Sequence, residues 1–155
     1  MSKVSFILFF SIFLLSMFSC RQKNFYFEEV ANIKNQWRSD DVKSFKFPVK
    51  ENDKKFTIYF IIRNNNSYKY SNIYFFTSIK SPDGEIITDT LEYQLAYPNG
   101  KWMGFGMGEI KQNTLVFKEN MALKDTGIYQ VNIVQAMRET DLEGIEDISL
   151  MIEKN

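Results

Sequence analysis

From residue 42 onward, short apolar runs alternate with polar turn clusters. Between Val42 and Val49, the side chains of Phe45, Phe47 and Val49 share one face of an extended strand, and Ser44 and Lys46 lie opposite. Lys55 to Arg63 (KFTIYFIIR) is β-branched and aromatic throughout, as in a strand covered on both faces. Asn72 to Lys80 predicts a third strand. Turn chemistry separates these runs: Asn64-Asn65-Asn66-Ser67, then Ser81-Pro82-Asp83-Gly84, then Pro98-Asn99-Gly100. Pro82 fixes φ and Gly84 accepts φ > 0. Glu85 to Asp89 and Thr90 to Tyr97 read as one bent strand. Leu115 to Lys118, Ile128 to Met137 and Ile148 to Ile152 complete the set. No segment sustains helical apolar spacing over three turns, and only a short helix around Glu28 to Gln36 is expected. About eight strands at turn-sized spacing predict an all-β fold, an antiparallel β-sandwich of Ig-like or jelly-roll-like form.

One local motif supports a sandwich. Asp125-Thr126-Gly127-Ile128-Tyr129 has the D-x-G-x-Y pattern of a tyrosine corner, in which the phenol turns back to the preceding corner backbone. Val131 stands where antibody domains carry a disulfide cysteine, so packing must replace that bond.

The N-terminal pattern is different. Val4 to Phe18 is an apolar run of 15 residues interrupted only by serines, with Lys3 before it. About 20 residues are needed to span a bilayer core as a helix, so the run fits a secretory signal better than a membrane anchor. It ends at Ser19 and Cys20, the only cysteine. This arrangement resembles a bacterial lipoprotein signal peptide, in which a small residue precedes the cut and the cysteine thiol carries the lipid. Met17 and Phe18 depart from the usual Leu and small residue of that signal. Residues 1–19 are therefore expected to be cleaved. Residues 20–30 are expected to form a lipidated cysteine and tether, and residues 31–155 the sandwich domain. Each buried acyl CH₂ contributes about 0.8 kcal/mol, so two or three chains hold a protein stably on a bilayer.

Composition narrows the chemistry. Lys+Arg and Asp+Glu are both 19, so the zero net charge gives no general electrostatic case for nucleic acid. No histidine is present, which removes histidine triads, bases and metal ligands, and the lone cysteine excludes an internal disulfide. Gly104-Phe105-Gly106-Met107-Gly108 does not fit a phosphate-binding loop and has no lysine within it. It reads as a bulged segment where another backbone or ring approaches closely. Glu139, Asp141, Glu143, Glu146 and Asp147 read as solvated loop acids. No catalytic residue, no metal site, no small-molecule substrate and no cofactor beyond a covalent lipid on Cys20 is expected. Among the aromatics, Trp37, Tyr68, Tyr70, Tyr74, Tyr97 and Trp102 raise the question of a binding face. Turns present Asn65, Tyr68, Tyr70 and Trp102, which are the candidate interaction surface.

Six segments then carry a family resemblance, in order along the chain. They are Arg63-Asn64-Asn65-Asn66-Ser67-Tyr68-Lys69-Tyr70-Ser71-Asn72, Asp89-Thr90-Leu91-Glu92-Tyr93, Gly100-Lys101-Trp102-Met103-Gly104-Phe105-Gly106, Asp125 to Tyr129, Gln135-Ala136-Met137-Arg138, and Gly144-Ile145-Glu146-Asp147. Together they resemble the gliding motility lipoprotein GldH family of Bacteroidetes. The resemblance implies an outer-membrane lipoprotein, without catalytic activity, serving gliding and the associated type IX secretion machinery. It implies protein components of that machinery as partners, and it carries only the lipidated cysteine over, onto Cys20. Arg21, Gln22, Lys23 and Asn24 contain no acidic cluster of the kind that marks surface export in such lipoproteins, which favours a periplasm-facing position. The alternative is a periplasmic glycan- or peptidoglycan-binding module using the same exposed aromatics.

Overall fold

The computed structural model describes residues 25–51 and 54–155. The expected signal peptide, 1–19, and Cys20 lie outside them. Ten strands follow in order: β1 (Phe25–Asn32), β2 (Gln36–Arg38), β3 (Lys43–Val49), β4 (Lys54–Asn64), β5 (Asn72–Lys80), β6 (Ile86–Gln94), β7 (Lys111–Leu123), β8 (Gly127–Gln135), β9 (Asp141–Glu143) and β10 (Ile145–Lys154). One sheet runs β1-β10-β4-β7 and a second runs β3-β8-β5-β6, each antiparallel throughout; β2 and β9 form a small ribbon. The expected β-sandwich is the fold.

Alternation builds the core. Phe56, Ile58, Phe60 and Ile62 of β4 and Ile148, Leu150 and Ile152 of β10 face inward from one sheet. Phe45 and Phe47 of β3, Ile73 and Phe75 of β5, and Val131 and Ile133 of β8 face them. Phe60 stacks on Phe117 at 4.8 Å between ring centroids and reaches across to Phe75 at 6.5 Å. Each such side chain contributes about 1.5–3 kcal/mol when fully buried. Strand β4 is central, so its outward Thr57 and Ile61 are also buried, which explains its unbroken apolar composition.

The two open flanks are closed alike. On one, the Tyr26 hydroxyl of β1 donates to the Pro48 carbonyl of β3 at 2.6 Å. On the other, the Tyr93 hydroxyl of β6 donates to the Val116 carbonyl of β7 at 2.7 Å, beside a Lys118–Asp89 ion pair at 2.8 Å. Pro48 also withholds an N–H from its edge strand, which discourages pairing with another chain. The tyrosine corner is present: the Asp125 N–H donates to the Tyr129 hydroxyl at 3.2 Å, and Val131 is fully buried.

The sequence reading is corrected at the start of the domain. Residues 25–30 of the expected tether belong to β1, and the expected helix around Glu28 to Gln36 is the end of β1 and the turn into β2, so among the described residues the sandwich already includes Phe25 to Val30. Trp37 lies in the core, its indole N–H donating to the Asp41 carbonyl at 2.8 Å.

Candidate functional site

Strands β4, β7 and β10 reach one common end of the sandwich, where Asn64 lies across from both Ile145 and Lys111. The β4–β5 connection that crosses this end contains three of the four candidate surface residues. Asn65 sits in a turn, its side-chain carbonyl accepting from the Ser67 N–H at 2.8 Å. Its amide nitrogen donates to the Asn35 side chain and to Glu146. Tyr68 is not on the surface. It is 3% exposed, its hydroxyl donates to the Asn72 carbonyl at 2.7 Å, and Gly144 lies directly beneath its backbone. Burial, with a smaller contribution from Tyr70, pushes the Tyr68 phenol well above the ordinary tyrosine range. Tyr70 is half-buried, meets Tyr68 edge-on at 5.8 Å and donates its hydroxyl to Glu139 at 2.7 Å. Trp102, also half-buried, packs on Tyr68 at 6.3 Å from the neighbouring loop. The three aromatics therefore meet, but as an inward-facing cluster over the core.

The polar residues around them are equally engaged. Arg63 grips Asp147 through two guanidinium nitrogens, and Asp147 keeps its side chain 4% exposed. The hydrogen bond that Arg63 donates to that carboxylate is the first cause of its raised pKa. Asn113 donates to the Asn64 side chain at 2.9 Å in the interior. Gln135 donates to the Glu139 carbonyl at 2.8 Å and accepts from the Met137 N–H. The expectation of solvated acids at 139–147 holds for the exposed Glu139, Asp141 and Glu143, and it fails at Asp147, which is buried, and at Glu146, which is half-buried and accepts from Asn65.

The connection between β6 and β7 is built the opposite way. Its backbone is tied down: Met103 N–H donates to the Leu95 carbonyl, and Phe105 and Gln112 exchange two bonds at 2.7 and 2.9 Å. Lys111 folds its ammonium back onto the Gly106 and Gly108 carbonyls at 2.7 and 2.8 Å. Close approach explains the glycines. A Cβ on Gly104 would sit 2.8 Å from the Gln112 carbonyl oxygen, and one on Gly106 would sit 2.4 Å from the Ile110 carbonyl oxygen. Yet beyond Trp102 its apolar side chains point out. Phe105 is 86% exposed and Met107 is 100% exposed, with Tyr97, Met103 and Ile110 also exposed around them.

The GldH lipoprotein family matches residues 25–152, the whole sandwich but for its last three residues. The chain belongs to that family. It is 39% identical to the gliding motility lipoprotein GldH homolog of Christiangramia forsetii, over 97% of each chain. It is 38% identical to the gliding motility lipoprotein GldH of Flavobacterium johnsoniae, over 89% of each chain. Among solved structures, the infectious bursal disease virus VP2 subviral particle is similar at a TM-score of 0.41 and 12% identity, over 81% of this chain and 31% of that one.

In this family member, four of the six segments that carried the resemblance come together at the end just described. Residues 63–72, 100–106, 135–138 and 144–147 interlock there. The Asp89–Tyr93 segment helps to close a flank, and the Asp125–Tyr129 segment forms the corner. Among the described residues, no group of three or more acidic or cysteine side chains is placed to hold a metal ion. A cleft of about 610 Å³ beside the aromatic cluster is lined by Tyr70, Tyr74, Ala136, Met137, Arg138 and Glu139. The feature that sequence reasoning missed is the outward apolar tip at Phe105 and Met107. Alternating glycine and large apolar residues were a signal for it, and only the closeness of the backbone was read from them.

Proposed function

We propose that this GldH-family chain is a lipid-anchored accessory component of gliding motility and the associated type IX secretion machinery. The lipid sits on Cys20 and holds the sandwich at the outer membrane, facing the periplasm. The function is mechanical or organisational rather than catalytic, with membrane lipid and machinery proteins as the partners. Family membership over residues 25–152 carries this reading. The geometry agrees with it: the chain enters at the Phe25 end of β1, and the interlocked family segments lie at the other end, leaving that end free to meet a partner.

The glycan-binding alternative relied on free aromatic faces. Tyr68 is buried and the Tyr70 and Trp102 rings pack against it, so the geometry lends that alternative less support.

The test is Cys20→Ser in a gliding strain that lacks its own copy. The expected result is a protein that leaves the membrane fraction and a colony that stops spreading. Full spreading by the Cys20→Ser strain would remove the anchored reading.

A further inference from the structure

The loop from Tyr97 to Ile110 presents a cluster of apolar side chains on a backbone that is fixed in advance. Large exposed apolar patches on a folded domain mark contact sites. Aromatic residues and methionine are enriched in protein interfaces, and a few such anchors carry most of the binding energy. Here Phe105 supplies a rigid ring, and Met107 supplies a flexible thioether that adapts to an uneven surface. The Phe105–Gln112 bonds, the Lys111 clamp and the tight glycine contacts hold the tip before any partner arrives, which lowers the ordering cost of binding.

Position and charge indicate what covers it. Phe25 pairs with Glu153, which pairs with Thr57, while the loop joins β7 at Lys111, which pairs with Asn64. From Thr57 to Asn64 the strand advances about 23 Å at roughly 3.3 Å per residue. The five steps from Cys20 back to Phe25 reach at most about 18 Å, and they leave from the opposite end. On an anchored molecule the loop therefore points away from the bilayer that holds Cys20. The charge at the tip is Glu109, two residues from Met107; Lys111 is turned onto the loop's own carbonyls, and Lys101 lies on the far arm. An acid at the tip suits an apolar protein pocket with a polar rim better than anionic headgroups.

We infer that the Tyr97–Ile110 loop is a docking protrusion, and that Phe105 and Met107 insert into an apolar pocket of a partner protein on the side facing away from the anchoring membrane. This rests on the anchored reading above. The test places a photoreactive amino acid at Glu109 in the full lipidated chain, in living cells, with adducts identified by mass spectrometry. The expected result is one defined adduct with a second, different protein of the envelope. Phe105→Ser should reduce it about tenfold or more, as should Met107→Ser, which cannot disturb packing because Met107 is fully exposed. Purified partner should reproduce the adduct. Adducts to lipid, adducts only to a second copy of this chain, or a protein adduct unchanged in both variants would overturn the inference. A partner with no part in motility would keep the docking loop and overturn the functional reading. No protein adduct in cells whose gliding still depends on Cys20 would do the reverse.

Discussion

Two loops lie side by side at the far end of this sandwich and use their side chains in opposite ways. From Arg63 to Asn72, most polar and aromatic side chains have a partner within the chain: Asp147 for Arg63, Asn113 for Asn64, Glu146 for Asn65, the Asn72 carbonyl for Tyr68, Glu139 for Tyr70. From Met103 to Ile110 the backbone is bonded, and Phe105 and Met107 are left in water. The segment richest in chemistry is thus a structural cap, and the plainer glycine loop is the one with contact area to offer. A dense motif marks a demanding geometry, and it marks a binding face only where its groups remain unpaired.

The strongest way to break this contrast is Gly144→Ala. Gly144 has φ of +90°, and a Cβ there would lie 2.2 Å from the Tyr68 backbone nitrogen, so the cap has to move as a unit. The expected loss is roughly 3–5 kcal/mol of unfolding free energy in a urea titration. A loss below about 1 kcal/mol would mean that the cap yields easily and is not the rigid element described.

Trp102→Ala probes the seam between the two regions, because the indole belongs to the glycine loop and packs on Tyr68 of the cap. Truncating a buried aromatic costs about 3–5 kcal/mol, and half-burial brings the expectation to about 2 kcal/mol, read in the same titration. The variant is expected to weaken gliding through stability, and lowering the growth temperature should restore part of it. Lost gliding with unchanged stability would instead place Trp102 in the contact surface.

What the sequence made legible follows the range of the interactions involved. Strands β4 and β5, the 81–84 turn and the Tyr129 corner depend on neighbours within a few residues, and period-two patterns and turn chemistry report those directly. Strand β1 was not legible. Adjacent Glu28 and Glu29 and a bulge between Phe25 and Phe27 break its alternation, and its partner β10 is the last strand of the chain. β2 and β9 have three residues each, too few to show a period. Tyr68 looked exposed because it follows a turn; Gly144 and Trp102, which cover it, are distant in sequence. Phe105 and Met107 carried the reverse error. Apolar residues between strands suggest packing, and only the fold shows that nothing covers them.

Tyr68→Phe sharpens the contrast with a smaller change and adds a pH dependence. Removing the hydroxyl deletes the bond to the Asn72 carbonyl, at about 1 kcal/mol near neutral pH. Burial raises the folded phenol above its ordinary 10.0, so the folded state favours the protonated form. The contribution of that hydroxyl is therefore fully present below pH 10 and is lost as pH rises through the folded value. The stability gap between the native chain and Tyr68→Phe is expected to hold flat up to pH 10 and to close above it. A gap that stays constant to high pH would mean that the phenol is open to solvent.

Met107→Ser is the opposite limit, and its value lies in the absence of a stability change. The side chain is fully exposed and lies at the tip, while the hydrogen bonds that hold the loop come from backbone groups and Lys111. Surface substitutions of this kind stay within about 0.5 kcal/mol. If the urea midpoint is unchanged while spreading falls, the loop is a contact element supported by a separate cap, and the two regions are divided as the geometry divides them. If the midpoint drops as it does for Trp102→Ala, Met107 is covered in the native protein, by the chain itself or by a second copy. A midpoint that depends on protein concentration would identify the copy, because only association makes stability concentration-dependent.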